Sequence, residues 1–255
     1  MKLRFWKLSG AGNDFVLLAG RRGSAALARR LCSRRAGIGA DGLLGLTRRG
    51  GRLRLDYRNA DGSSAFCGNG TRCAALWAAA HGWVRGPRFV LHTARGPLGA
   101  RLSGRGRASI SMPVPRRMRL ARRLKVFGRT VTVHFVEVGV PHAVVFVPDV
   151  ERADLGGLGR ALRFHKAFGR AGANVDFVQV RGRALLLRTY ERGVEGETLA
   201  CGTGAVAVAA VARALGRVGD RARVRARGGV LDVELGAGAR LEGPGETVFT
   251  GEVDL

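Results

Sequence analysis

The sequence predicts an α/β fold of the α+β kind, built as two pseudo-symmetric domains that each wrap a sheet around one apolar helix. The first observation is an internal duplication. CGNGTRCAALWAAAHG runs from Cys67 to Gly82 and CGTGAVAVAAVARALG from Cys201 to Gly216, with the same Cys-to-Gly separation. Each copy follows a strand-like run and an acidic, glycine-containing turn, DYRNADGSSAF or RTYERGVEGETLA. Each leads to an Ala-Arg-Gly turn, Ala94–Gly96 or Ala226–Gly228. Such repeats decide domain count before anything else. The second observation is that both helices are apolar almost all round, so sheet must enclose them. The third is that the remaining text alternates as strands far more than it repeats as helices.

In chain order, RFWKLSGAGNDFVLLAG reads as strand, glycine turn, strand, with Gly10, Gly12, Asn13 and Asp14 at the turn. Ser24 caps a helix expected to run to about Arg35 and to end at Gly37. GIGADGLLGL is a glycine-rich turn that feeds a strand. In Arg52–Tyr57 the apolar Leu53, Leu55 and Tyr57 alternate with charged residues, a half-buried strand. The first cysteine helix follows, through Ala80, and then a meander of strands. Pro113, Pro115 and the basic RRMRLARR mark the expected boundary between an N-terminal domain, 1–114 with the last strand 246–255 added to it, and a C-terminal domain, 115–245. Beyond Val126 come strands, a Val140-Pro141-His142 turn, a helical stretch from about Asp149 to Lys166, two more strands, the second cysteine helix and strands to the end.

Composition narrows the function. The net charge of +25 suggests an anionic partner. The charge is nearly all Arg, since Lys2, Lys7, Lys125 and Lys166 are the only lysines, and it spreads over the whole chain without forming a block. Aromatic residues make up 6%, poor material for base stacking, so a specific nucleic-acid role is set aside. Apolar runs such as Ala205–Ala212 are too short to span a bilayer, and the N-terminal text lacks a signal-peptide core, which points to the cytoplasm. The four cysteines match no zinc spacing and no disulfide framework. Cys32 and Cys73 read as small buried hydrophobes.

Cys67 and Cys201 read differently, because each stands at the mouth of a helix. After Cys201 the small residues Gly202, Thr203 and Gly204 leave backbone N–H groups open, and the chain contains that design twice, an anion site where the helix dipole is expected to lower a thiol's pKa. Two like halves facing one another would set two sulfurs on opposite sides of one ligand.

GAGNDF, RNADGSSAFCGNGTRC, VPH, ANVDF, YERGVEGETLACGTGA and RARGGVLDV, in this order over nearly the whole chain, resemble the diaminopimelate epimerase family. The resemblance implies two domains of like fold, each a curled mixed sheet around a central helix, an active site in the cleft between them, and a homodimer. It implies interconversion of LL- and meso-diaminopimelate in lysine and peptidoglycan-precursor synthesis, with no cofactor. Cys67 and Cys201, one thiolate and one thiol, would remove and deliver the α-proton from opposite faces. Pyridoxal phosphate would otherwise be the electron sink, through a lysine Schiff base, and none of the four lysines lies in a recurring motif. The α-carboxylate would lie on backbone amides near Gly68, Asn69, Gly202 and Thr203. The distal amino and carboxylate groups would meet Asn13, Asn59, Asn174, Glu191 and Arg192, and His142 would adjust thiol protonation.

Two positions depart from the pattern. Val140, before Pro141-His142, replaces an Asn that binds substrate in many members of the family. Gly42 offers no side chain where some relatives place a polar one. The alternatives are a racemase of another amino acid on the same fold and, from a different class, a basic nucleic-acid binder.

Overall fold

A computed structural model describes residues 2–104 and 106–254. Met1 and Leu255, the outer ends of the expected first and last segments, and Arg105 lie outside the described residues. The chain divides into two compact units, one of 1–111 with 242–255 and one of 112–241.

In the first unit, β1 (Lys2–Gly10) and β2 (Asn13–Ala19) form a hairpin whose turn holds Ala11 and Gly12 at φ 51° and 85°. The tight positive-φ corner delivers Asn13 to the end of β2, and it is the reason for the glycine beside it. Helix α1 (Ala25–Cys32), capped by Ser24, carries the chain across to β3 (Gly42–Arg49), parallel to β2. β4 (Arg52–Asn59) returns antiparallel. Helix α2 (Gly68–Ala80) then crosses to β5 (Arg88–Thr93), parallel to β4, and β6 (Gly96–Gly104) and β7 (Arg107–Met112) complete the meander.

The second unit repeats this order. β8 (Arg116–Val126) and β9 (Arg129–Glu137) pair antiparallel, and β9 pairs with β10 (Pro141–Phe146). A π-turn at Leu155–Gly159, the single helical turn α3 (Arg160–Arg163) and a 3₁₀ turn at Lys166–Phe168 cross to β11 (Asn174–Arg181), parallel to β10. β12 (Ala184–Glu191) is antiparallel to β11, with the short β13 (Gly196–Thr198) folded back on its end. Helix α4 (Gly202–Ala214) crosses to β14 (Arg221–Ala226), parallel to β12, followed by β15 (Gly229–Leu235) and β16 (Ala239–Pro244). The last strand, β17 (Glu246–Asp254), returns to the first unit and pairs with β1, as β8 pairs with β9 in the second. Both units thus carry antiparallel, parallel, antiparallel and parallel steps in the same sequence, which is the duplication read at the level of strand pairing.

The two long helices lie inside their sheets. Val206, Val208 and Val211 of α4 are fully buried, as are Ala74, Ala75 and Ala78 of α2. Burying a valine contributes about 1.5–3 kcal/mol, and alanine between the valines lets the strands approach. The outer faces have cores of their own. Phe5, Val16, Leu18 and Leu43 pack under Ala28 and Leu31 of α1, and Val145, Val175 and Phe177 pack under Leu155 and Leu162 of the π-turn and α3.

Two expectations change, and the boundary segment takes a definite form. The first helix ends at Cys32 and not near Arg35, because Ser33 takes an extended ψ of 122°. The Asp149–Lys166 stretch is helical only from Leu155, since Asp154 caps it by accepting from the N–H groups of Gly157 and Leu158. RRMRLARR belongs to strand β8, whose register to β9 shifts twice, with Arg117 and Ala121 at positive φ. Edge strands carry charge and irregularity of this kind without a core-facing alternation.

Candidate functional site

In the first unit, Cys67 is the N-cap of α2, and its sulfur accepts from the N–H of Gly70 at 3.4 Å. The helix start leaves the N–H groups of Gly68 and Asn69 without an intrahelical acceptor. The Asn69 amide donates to Asn13 Oδ1 at 2.7 Å, and Asn13 Nδ2 donates to Asp41 at 2.9 Å. Behind Asn69 stands Arg72, fully buried, whose Nη2 donates to Asn69 Oδ1 at 2.8 Å while Nε and Nη1 find no hydrogen-bond partner among the described residues. Burial pushes the Arg72 guanidinium down from its usual range, and its attraction to Cys73 and Cys67 acts the other way. Arg72 thus brings a positive charge to the side of the Cys67 sulfur. Asn59, at the end of β4, accepts from the Tyr57 hydroxyl at 2.8 Å and donates to Ser63 at 2.9 Å.

The second unit surrounds its thiol with charge of the opposite sign. Cys201 is the N-cap of α4, accepts from Gly204 N–H at 3.4 Å and lies 3.4 Å from Thr203 Oγ1. The φ and ψ of the two cysteines, −127° and 111° against −116° and 111°, make them equivalent caps. Asn174 and Asp176 lie on one face of β11. His142 Nδ1 donates to Asp176 at 2.7 Å, Thr189 donates to the other Asp176 oxygen at 2.8 Å, and His142 Nε2 faces Asn174 Nδ2 at 3.4 Å. Asn174 Oδ1 accepts from the Arg192 N–H at 2.8 Å, which fixes the turn after β12. Glu191 accepts from the Thr198 hydroxyl at 2.7 Å, and burial pushes its carboxyl up. The Arg188 fork to Glu197, both contacts at 2.7 Å, clamps β13 to β12 on the approach to Cys201.

Burial pushes the Cys201 thiol well up, and the carboxylates of Glu191 and Asp176 push the same way against the hydrogen bonds from Thr203 and Gly204. This corrects the expectation of a lowered pKa at that helix mouth. Dipole stabilisation of a charge at a helix end is about 0.3–1 kcal/mol at an exposed site, whereas desolvation of a fully buried group reaches several pKa units. Cys32 and Cys73 are buried as expected, their thiols pushed up to about 11 and about 12 by burial.

Asn13, Asn59 and Asn69 fall in the cluster around Cys67, and His142, Asn174, Glu191 and Thr203 in that around Cys201, whereas Arg192 joins through its backbone N–H alone. The sequence pattern does not single out Asp176, Arg72 or Tyr57. Asp176 could have been found as an acid inside the apolar run NVDFVQV, and Arg72 as a cation inside an apolar helix. Tyr57 ends a clean alternation and gives no signal of its own.

Gly204 tests the packing here. Alanine improves helix propensity by about 1 kcal/mol. A Cβ at this position, however, would stand 2.6 Å from Asp176 Oδ1 and 3.3 Å from the Cys201 sulfur. Overpacking of this sort costs about 1–3 kcal/mol, so Gly204→Ala is expected to lower the urea midpoint despite the better propensity. A midpoint at or above that of the parent would show that Asp176 yields freely.

The family model for diaminopimelate epimerase matches residues 5–117 and 134–255. The chain belongs to the diaminopimelate epimerase family. The diaminopimelate epimerase of Methanocella arvoryzae is 40% identical over 100% of this chain and 98% of its own, and that of Methanothrix thermoacetophila is 41% identical over 99% and 96%. Among solved structures, a phenazine biosynthesis protein from Bacillus anthracis superposes with a TM-score of 0.80 at 12% identity over 100% of both chains. A hydroxyproline epimerase from Agrobacterium vitis gives 0.70 at 18%, over 99% of this chain and 92% of its own. These structures share the fold. Val140 contributes its carbonyl to Val138 N–H at 2.9 Å.

Proposed function

We propose that this chain interconverts LL- and meso-diaminopimelate by a cofactor-free transfer of the α-proton between two thiols. The observation that carries the reading is the pair of equivalent N-cap cysteines in opposite electrostatic surroundings. Cys67 has the Arg72 cation behind it, and Cys201 is buried beside Asp176 and Glu191. In the resting enzyme Cys67 is then the thiolate and Cys201 the thiol. Cys67 takes the α-proton and Cys201 delivers its own to the other face, which leaves the thiols in exchanged states for the reverse reaction.

The negative charge that develops on the α-carboxylate as the proton leaves is met by the N–H groups of Gly68, Asn69, Gly202 and Thr203. One such donor is worth about 2.7–4 kcal/mol of transition-state stabilisation in other enzymes. Asn13 and Asn59, held by Asp41, Asn69, Ser63 and Tyr57, keep amide donor capacity for the substrate. Glu191 offers an acceptor to the distal ammonium and Arg192 a fork to the distal carboxylate. His142, donating to Asp176, supports Asn174 and the Arg192 turn. The same reading takes the enzyme as a cytoplasmic homodimer of lysine and peptidoglycan-precursor synthesis, with no specific nucleic-acid partner. Among the described residues no cluster of His, Cys, Asp and Glu could hold a metal ion, and no helix is long and apolar enough to cross a membrane.

Purified protein in deuterium oxide, with no added cofactor, is expected to place solvent deuterium at the α-carbon of diaminopimelate and to leave proline and hydroxyproline unlabelled. Label on proline in place of diaminopimelate would move the chain to another substrate, and label that requires pyridoxal phosphate would end the two-thiol reading.

A further inference from the structure

Gly42 and Tyr57 occupy one space. A Cβ on Gly42 would stand 2.5 Å from Tyr57 Cε2, 2.8 Å from its hydroxyl oxygen and 2.7 Å from the Arg58 carbonyl. The phenol ring thus fills the room that a side chain on β3 would take, and the Phe15 ring holds it edge-on at 6.2 Å. The Tyr57 hydroxyl reaches two groups, Asn59 Oδ1 at 2.8 Å and the Cys67 sulfur, to which it is also hydrogen-bonded. Asn59 Oδ1 is a fixed acceptor, because one Nδ2 hydrogen donates to the Ser63 hydroxyl and sets the orientation of the amide, while the backbone N–H donates to the Ser63 carbonyl.

A phenol has one proton and cannot donate to both groups at once. We propose that Tyr57 is a positioning residue for Cys67, its hydroxyl turning between the Cys67 sulfur and Asn59 Oδ1 as that sulfur loses and gains a proton. Opposite a thiolate, the hydroxyl donates to sulfur, because a charged acceptor makes the stronger bond. Once Cys67 carries the substrate proton, S–H donates to the phenol oxygen and the phenol donates to Asn59. Tyr57 keeps its own proton throughout, and only the torsion about its C–O bond changes. Burial and the charge on Cys67 push the phenol far above its usual range, so it stays a donor and does not act as a base. Arg72 and Cys73 face Cys67 from α2 and Tyr57 faces it from β4, while Asp41 faces the Tyr57 hydroxyl.

This inference rests on the proposal that Cys67 is a reacting thiol, and its test does not read activity alone. Site-resolved alkylation of Cys67 by iodoacetamide across pH gives the thiol's ionisation midpoint in the full-length protein. Tyr57→Phe keeps the ring and its packing on Phe15 and removes the hydroxyl. Its Cys67 midpoint is expected to rise by about one pH unit, and the acid limb of the kcat profile to move up by the same amount, with KM little changed. Gly42→Ala, which displaces the hydroxyl without deleting it, is expected to move the midpoint in the same direction. A Cys67 midpoint unchanged in Tyr57→Phe overturns the inference. Epimerisation by Cys67→Ala reports separately on the reading beneath it.

Discussion

Replacing either N-cap cysteine by alanine is expected to abolish epimerisation, a loss of at least about 10³-fold in kcat, while the fold survives. General acid–base catalysis contributes about 10²–10⁴-fold per group, and in the proposed mechanism each thiol is the whole route for the proton on its side. The cost to folding is small, because the cysteine caps its helix through one long 3.4 Å contact to Gly70 or Gly204 and removing the sulfur opens little volume. The two variants differ in their residual chemistry. Cys201→Ala keeps a thiol beside the Arg72 cation, so Cys67 still alkylates readily at neutral pH. Cys67→Ala keeps a thiol whose pKa is raised by burial and by Glu191 and Asp176, so Cys201 resists alkylation until strongly alkaline pH. Inversion by either variant at the parent rate, followed by chiral chromatography of diaminopimelate, would end the two-thiol mechanism. Equal alkylation rates would remove the assignment of thiolate to Cys67.

The parts legible in the sequence are those set by local pattern. Both cysteine helices begin where Cys-Gly-x-Gly predicts, because small residues after a cap and an apolar run with no polar face leave little other choice. The alternation in Arg52–Tyr57 likewise gives β4. The rest depends on partners distant in the chain. β8 hides in RRMRLARR because an edge strand needs no buried stripe, and β9 supplies its pairing. Tyr57 looks like one more apolar position until β3 and β4 pair in register and place its hydroxyl between Asn59 and Cys67. The direction of the Cys201 shift is hidden for the same reason. The helix dipole is visible in sequence, whereas the carboxylates beside the sulfur arrive from β11 and β12.

Asp176→Ala is expected to be the most destabilising single change in the second unit, by about 3–5 kcal/mol, and Asp176→Asn far milder. Asp176 is fully buried and is the acceptor for both His142 Nδ1 and Thr189 Oγ1. Alanine leaves those two donors buried without a partner, and removing one side of a buried charged pair costs about that much. Asparagine can accept from His142 through its oxygen and donate its amide to the Thr189 hydroxyl, so it loses mainly the charge, about 1–2 kcal/mol. Urea denaturation measures the gap between the two variants, and equal destabilisation would mean that the charge, and not the pairing, holds the site. The well-folded asparagine variant also tests the acid. In the proposed mechanism Cys201 serves as proton donor only while its pKa lies above the ambient pH, and Asp176 is one of the groups that raise it. With that anion gone the thiol ionises at lower pH, so the alkaline limb of the kcat profile is expected to move down, and the helix N-terminus then has less opposing it. Burial and Glu191 still act on the sulfur, so the limb moves without reaching the range of a free thiol. A limb that stays in place, or moves up, would mean that Asp176 does not act on Cys201 and that some other group sets the state of the acid.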